Sequence, residues 1–260
     1  MSTGILMEMT IEEVRAFRPE VVVVGIGSVE PHGPALPYGT DYFICDATVR
    51  AGVQQANARG ARALMYPTLP VGNNVNFRAW PFACRIRVQT LMQVLLDILQ
   101  ALAEDGARKI VIYNSHGGNT DTLRATLRAF ADTQPADGGV FVCMSSSPPD
   151  RSDPPIIQHP SPHGGESETS WIMHLHPDLV RTDKLDVFPF GQLAVEALSG
   201  PNTYFVRPWH RTVPLSAGGD ARESSAEKGQ RLLEAAAADL AELLVQLSQA
   251  KWTEAFPFKP

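Results

Sequence analysis

Apolar positions along the chain follow two different periods, and the alternation between them sets out the elements. "EVVVVGIGS", residues 20–28, is a continuous β-branched run and predicts a strand buried on both faces. "ARALMYPTLP", "KIVIYNS" and "GGVFVCMSS" predict three more strands at 61–70, 109–115 and 138–146. Between them the spacing turns helical. Thr10 with Glu13 has capping-box form ahead of "IEEVRAF". Residues 42–59 read as a helix, and "VQTLMQVLLDILQALAEDGARK" is the clearest amphipathic one, ending at Gly106. "TDTLRATLRAFADT", "ETSWIMHL" and residues 222–250 predict three further helices.

Strands alternating with helices at this spacing predict an α/β fold with a mainly parallel sheet covered on both faces. No internal repeat or dividing linker interrupts the pattern, so residues 1–260 read as a single domain. The proline-rich stretch 147–165, "SPPDRSDPPIIQHPSPHGG", is too long for a mere connector.

In open α/β sheets, sites form beyond the carboxyl ends of the strands. "EPHGPALPYGTD", residues 30–41, follows the first strand, and "NSHGGN", residues 114–119, follows the third. Both polar segments therefore leave one sheet edge. Glu30 and His32 lie two apart and face one way in an extended segment. Asp41 returns after a loop stiffened by proline and glycine, and His116 completes two imidazoles and two carboxylates. Mixed nitrogen and oxygen donors suit zinc, manganese or iron better than magnesium or calcium. Each residue also has a plainer reading, since Asp41 could cap the helix that follows it. A third segment, "HGGESETS", adds His163, Glu166 and Glu168 around a helix start. The two glutamates could equally favour the positive helix end.

Composition narrows the function classes. Hydrophobic residues make up 44% and charged residues 19%, as in ordinary globular proteins, and the formal net charge of -6 disfavours nucleic acid or an anionic membrane as partner. Cys45, Cys84 and Cys143 form no CxxC pair and read as reduced thiols in a cytoplasmic protein. The first residues lack the pattern of a signal peptide, and no apolar run is long enough to span a bilayer. "GIGSVE" begins like a dinucleotide fingerprint but places Glu30 at the third glycine position, and neither a nucleophile elbow nor a phosphate loop occurs. His174 and His176 read as structural.

Four segments, "GSVEPHGPALPYGTD", "NSHGGN", "HGGESETSWIMHLHPDLV" and "GGDARESSAEKG", occur in family order between residues 27 and 229. Together they resemble the creatininase family of metal-dependent amidohydrolases. The resemblance implies a three-layer α/β/α sandwich and two divalent ions. Glu30 and His116 would hold one ion, His32 the other, and Asp41 would bridge. Creatininase carries a glutamate two residues after its metal-binding histidine, where this chain has Gly118. Relatives with glycine there point to Glu166 as the fifth ligand, with Glu168 as its rival or support. His163 matches the catalytic histidine. The implied chemistry is attack of a metal-activated water on a carbonyl, with His163, aided by Glu168, moving the proton.

Creatinine itself is disfavoured as substrate. Residues 145–162 contain no tryptophan, and His159 stands near where one is expected. "NNVNFRAWPFACRIRV" offers Asn73, Asn74, Asn76, Arg78 and Arg85, which suit a polyhydroxylated or anionic substrate such as an inositol-derived diketone and could equally be surface and subunit contacts. A cyclic amide or formamide is the alternative, and a silent small-molecule-binding relative is the second function class. Family members form hexamers, so the resemblance implies a homo-oligomer.

Overall fold

The first strand, β1 (Val21–Ile26), is buried along its whole length because both its faces are covered. The computed structural model describes residues 3–135, 139–148, 150, 152–253 and 255–258. After α1 (Ile11–Phe17), whose Thr10–Glu13 capping box is formed, and β1 come α2 (Thr40–Ala58), β2 (Ala63–Leu69) and α3 (Val88–Glu104). β3 (Lys109–Asn114), α4 (Thr120–Ala131), β4 (Phe141–Ser145) and α5 (Glu166–Leu175) follow. A two-residue strand β5 (Val187–Phe188), a single turn α6 (Trp209–Thr212), β6 (Gly219–Asp220) and the long α7 (Ala226–Gln249) complete the chain.

β1 to β4 form one parallel sheet in the order β2-β1-β3-β4. Strand alternation divides the valines of β1 between two cores. Val21 and Val23 pack with Val49 and Val53 of α2 and Leu240 and Leu244 of α7. Val22, Val24 and Ile26 pack with Leu91, Leu95 and Leu99 of α3 and Leu123 of α4. Each such valine contributes about 1.5–3 kcal/mol over an exposed one. α3 turns Leu91, Leu95, Leu99 and Leu102 inward along one stripe. Together these packings make the three-layer α/β/α arrangement.

Sequence periodicity misses the antiparallel β5–β6 pair and α6, which are too short to show a period. It also starts α2 two residues late. The N-cap is Gly39, with no side-chain cap bond, so Asp41 lies within the first turn and its carboxylate is free to point elsewhere.

One close approach decides where that carboxylate goes. A Cβ on Gly27, just past β1, would lie 2.7 Å from the Tyr42 Cα. Glycine thus lets the start of α2 lie against the end of β1. Ser115 Oγ, just past β3, donates to the Asp41 carbonyl at 2.6 Å. The three cysteines are free thiols, Cys45 being buried. Among the described residues no helix is long and apolar enough to cross a membrane.

Candidate metal centre

Beyond the carboxyl ends of β1 and β3, five side chains from four segments meet. Glu30, His32, Asp41 and His116 are each at most 7% exposed, while Glu168 on the first turn of α5 is half-buried. The proline–glycine loop closes on itself through the Glu30 N–H, which donates to Tyr38 O at 3.0 Å. That turn faces Glu30 and His32 inward.

Hydrogen bonds fix which ring nitrogen of each histidine is available. His32 Nδ1 lies 3.0 Å from the Glu30 carbonyl and donates to it, which turns Nε2 towards Asp41 Oδ1 (3.3 Å) and Glu168 Oε2 (3.8 Å). His116 Nε2 donates to Asn73 O at 3.2 Å, which leaves Nδ1 facing Asp41 Oδ2 at 3.1 Å. Glu30 Oε2 lies 3.3 Å from His116 Nε2. Asp41 therefore presents one oxygen to each imidazole.

Neutral imidazoles in these tautomers aim the His32 Nε2 and His116 Nδ1 lone pairs at the two Asp41 oxygens, so acceptors face acceptors there. Glu30 Oε2, His32 Nε2 and Asp41 Oδ2 are buried with no hydrogen-bond partner. Buried groups of this kind need a proton or a cation. Burial alone would lower the His32 imidazole, but Asp41 and Glu168 outweigh it and hold it up at about 10. His116 likewise resists burial because Glu30 and Asp41 hold it at about 9. Burial would raise Asp41, yet His32 and His116 keep it well below the usual carboxylate range. Glu30 is pushed up by burial. Protons thus take the place a divalent ion would fill, and three donor sets can converge on one: Glu30, Asp41 and His116; His32, Asp41 and Glu168; and Glu30, His32 and His163. The nitrogen and oxygen donors fit a borderline divalent metal.

These shifts set a pH dependence. Below the raised imidazole pKa values, a cation must displace protons from His32 and His116; as pH rises towards those values that competition fades. Metal affinity is therefore expected to rise between pH 6 and 8, by up to roughly tenfold per unit for each proton displaced. Titration calorimetry in buffers of different ionisation enthalpy would report the released protons. A pH-independent affinity would contradict this electrostatic picture.

His163 stands beside the cluster. Its Nε2 donates to Pro31 O at 2.9 Å, and its unprotonated Nδ1 lies 3.8 Å from Glu30 Oε1. Burial pushes its imidazole down to about 3, and His32 lowers it further, so the ring is neutral.

Glu166 is elsewhere. It is fully buried, but its carboxylate accepts from Lys228 Nζ at 2.6 Å and from the Gln158 and His159 N–H groups at 3.0 and 2.6 Å. It pins the proline-rich loop and α7 to the start of α5 and does not meet His32. Glu168 occupies the place expected for Glu166, because two helical residues differ by about 200° in direction. Gly118 excludes the other candidate position: a Cβ there would collide with His116 Nε2 and Asn73 O, so no side chain fits.

The polar segment divides as well. Asn74 is buried and spends its amide on Ser28 Oγ, Val29 O and Cys84 O, and the Asn73 amide donates to Ile86 O. Both are staples for backbone. Asn76 lines the cavity over the metal centre, whereas Arg78 and Arg85 line a separate neighbouring groove. His159 is exposed and outside the cavity lining.

That cavity, about 310 Å³, has walls the sequence reading did not anticipate: Phe77, Tyr204, Arg207 and Trp209. The Phe77 and Trp209 rings lie 5.2 and 5.4 Å from the His163 ring. Trp209 supplies an aromatic wall from a segment well after His163, where no periodicity signals it. Phe77 was visible within "NNVNFRAW", between the polar residues that drew attention.

Comparisons with known proteins bear on the family and the fold. The creatininase family profile, described as creatinine amidohydrolase, matches residues 7–244. The mycofactocin precursor peptide peptidase of Mycolicibacterium smegmatis is 32% identical over 184 residues, 69% of each chain. The 3-dehydro-scyllo-inosose hydrolase of Thermotoga maritima is 21% identical over 90% of this chain and 80% of its own. A candidate creatinine amidohydrolase from Bacteroides fragilis, of known crystal structure, superposes with a TM-score of 0.85 at 27% identity, covering 96% of this chain and 99% of its own.

Proposed function

The chain belongs to the creatininase family of metal-dependent hydrolases, and from that premise we propose that it uses two divalent ions to hydrolyse an amide of a small molecule or short peptide. The observation that carries the reading is the set of buried carboxylate and imidazole atoms without partners beside a neutral histidine. Glu30, Asp41 and His116 would hold one ion and His32, Asp41 and Glu168 the other. Such ions, when bound, supply Lewis acidity that lowers the pKa of a water and polarises a carbonyl.

The chain's own residues do the rest. His163 takes and returns a proton at Nδ1, because Nε2 is committed to Pro31 O. Burial keeps the imidazole neutral, so Nδ1 carries a free lone pair for that proton. Trp209 offers flat apolar surface to the substrate and, backed by the buried Phe77 ring stacked 5.8 Å from it, excludes water from one side. Arg207 supplies a polar contact at the rim, while the Asn76 amide ties the Arg207 carbonyl and the Trp209 indole N–H to the cavity wall. Asn73 and Asn74 are engaged as staples, and Arg78 and Arg85 line the neighbouring groove, so the polar segment offers little to a polyhydroxylated ring in the cavity, and amide cleavage is favoured.

A second reading, hydrolytic cleavage of a carbocyclic diketone, is supported by the breadth of the match to the inosose hydrolase. Metal-loaded protein offered short peptides, cyclic amides, formamides and inositol-derived ketones would discriminate. Turnover of the ketones alone would reject the amide assignment. Exposed Phe82 and Tyr204, at 92% and 78%, are apolar surface that a homo-oligomer would cover.

The two glutamates separate by experiment. Glu168→Gln is expected to lose one ion. Glu166→Gln is expected to keep both and to lower stability by about 1–3 kcal/mol, since Lys228 loses its buried partner. Metal analysis and denaturant unfolding read the two effects. Loss of an ion in Glu166→Gln with none lost in Glu168→Gln would reverse the assignment.

A further inference from the structure

Next to the metal-site cavity runs a groove of about 570 Å³ lined by Arg78, Arg85 and Arg87. All three side chains are exposed, and among the described residues no acidic group or hydrogen bond engages their guanidinium groups. Arg50, Arg59, Arg62, Arg124 and Arg222 meet carboxylates, whereas these three lie together with none. Three unpaired ones together, in a chain of net charge -6, make a local positive field.

The backbone that carries Arg85 and Arg87 is held in place. Ile86 N–H donates to Gly72 O at 3.2 Å, and the Asn73 and Asn74 amides donate to Ile86 O and Cys84 O at 3.2 and 2.9 Å. Arg85 and Arg87 therefore ride on a segment stapled to the loop that holds His116. α3 begins at Val88 with no acidic residue in its first turn, so its positive end adds to the field. Asn73, Val75 and Val206 line both the groove and the cavity, so the two are continuous across an apolar saddle.

We propose that this groove is a subsite for an oxyanion, a carboxylate or phosphate carried by the substrate one short apolar spacer away from the bond cleaved. Guanidinium groups match either anion in bidentate fashion, and Val75 and Val206 suit the spacer. The inference rests on the hydrolase reading for the role of the adjoining cavity, and it narrows the substrate to anionic amides or ketones.

Binding, which needs no turnover, tests it apart from that reading. Calorimetry on metal-loaded protein would compare butyrate, whose single carboxylate can occupy the metal cavity or the groove but not both at once, with glutarate and 3-phosphonopropionate, which can span them. The bifunctional probes are expected to bind about tenfold or more tighter than butyrate, an advantage that shrinks with salt. In R78A/R85A/R87A the ratio should fall towards one, and R78K/R85K/R87K should retain part of it. A preference for the phosphonate over glutarate, or the reverse, names the anion. An unchanged ratio in the alanine variant would overturn the subsite, as would equal binding of all three probes by the unaltered protein. A changed oligomer mass with an unchanged ratio would assign the arginines to a subunit contact instead. Absence of any hydrolysis would count against the hydrolase reading and leave the binding result standing.

Discussion

Asp41→Asn is expected to empty both metal sites, lowering metal affinity by more than about 100-fold and turnover by roughly 1000-fold or more. Asp41 is the one residue whose two oxygens face both imidazoles, Oδ1 towards His32 and Oδ2 towards His116. Asparagine keeps its size and removes both the charge and one acceptor oxygen. The packing around α2 should survive, because the neighbouring contacts of Ile44, Cys45 and Val49 are untouched. Metal analysis with a thermal unfolding scan separates loss of ligation from loss of fold. Two ions retained at normal affinity in a folded variant would remove Asp41 from the bridging role.

His163→Ala is expected to do the opposite: to keep both ions and lose turnover by roughly 10²–10⁴-fold. The ring is buried beside His32, with centroids 4.2 Å apart, and its Nε2 is anchored to a backbone carbonyl. It is placed to carry a proton at Nδ1. The same ring also lies within reach of Glu30 and His32 as a third possible donor grouping. Metal content therefore decides its role. Loss of an ion in His163→Ala would make it a ligand, and unchanged turnover would leave it neither ligand nor proton carrier.

The parallel sheet and its two helical layers were legible because β1, β2 and β3 carry long apolar runs and α3 a clean stripe of leucines. Glu30, His32, Asp41 and His116 were legible for a topological reason: parallel strands bring their carboxyl ends to one edge, and both polar segments follow such ends. The choice between Glu166 and Glu168 was not. Two residues apart on a helix, they point nearly opposite ways, and their directions are set by Lys228, some 60 residues later, and by the Gly164 N–H that donates to Glu168. The polar segment misled because a buried loop needs partners for its own backbone, and Asn73 and Asn74 supply them. Residues 204–209 reach the cavity from an irregular stretch whose position only the folded chain determines.

Whether these five side chains hold two metals is read from divalent metal per chain by mass spectrometry, on untagged protein purified without chelator. About two ions per chain are expected, drawn from zinc, manganese or iron, and lost on dialysis against a strong chelator. No bound metal, even after incubation with excess manganese and zinc, would contradict this.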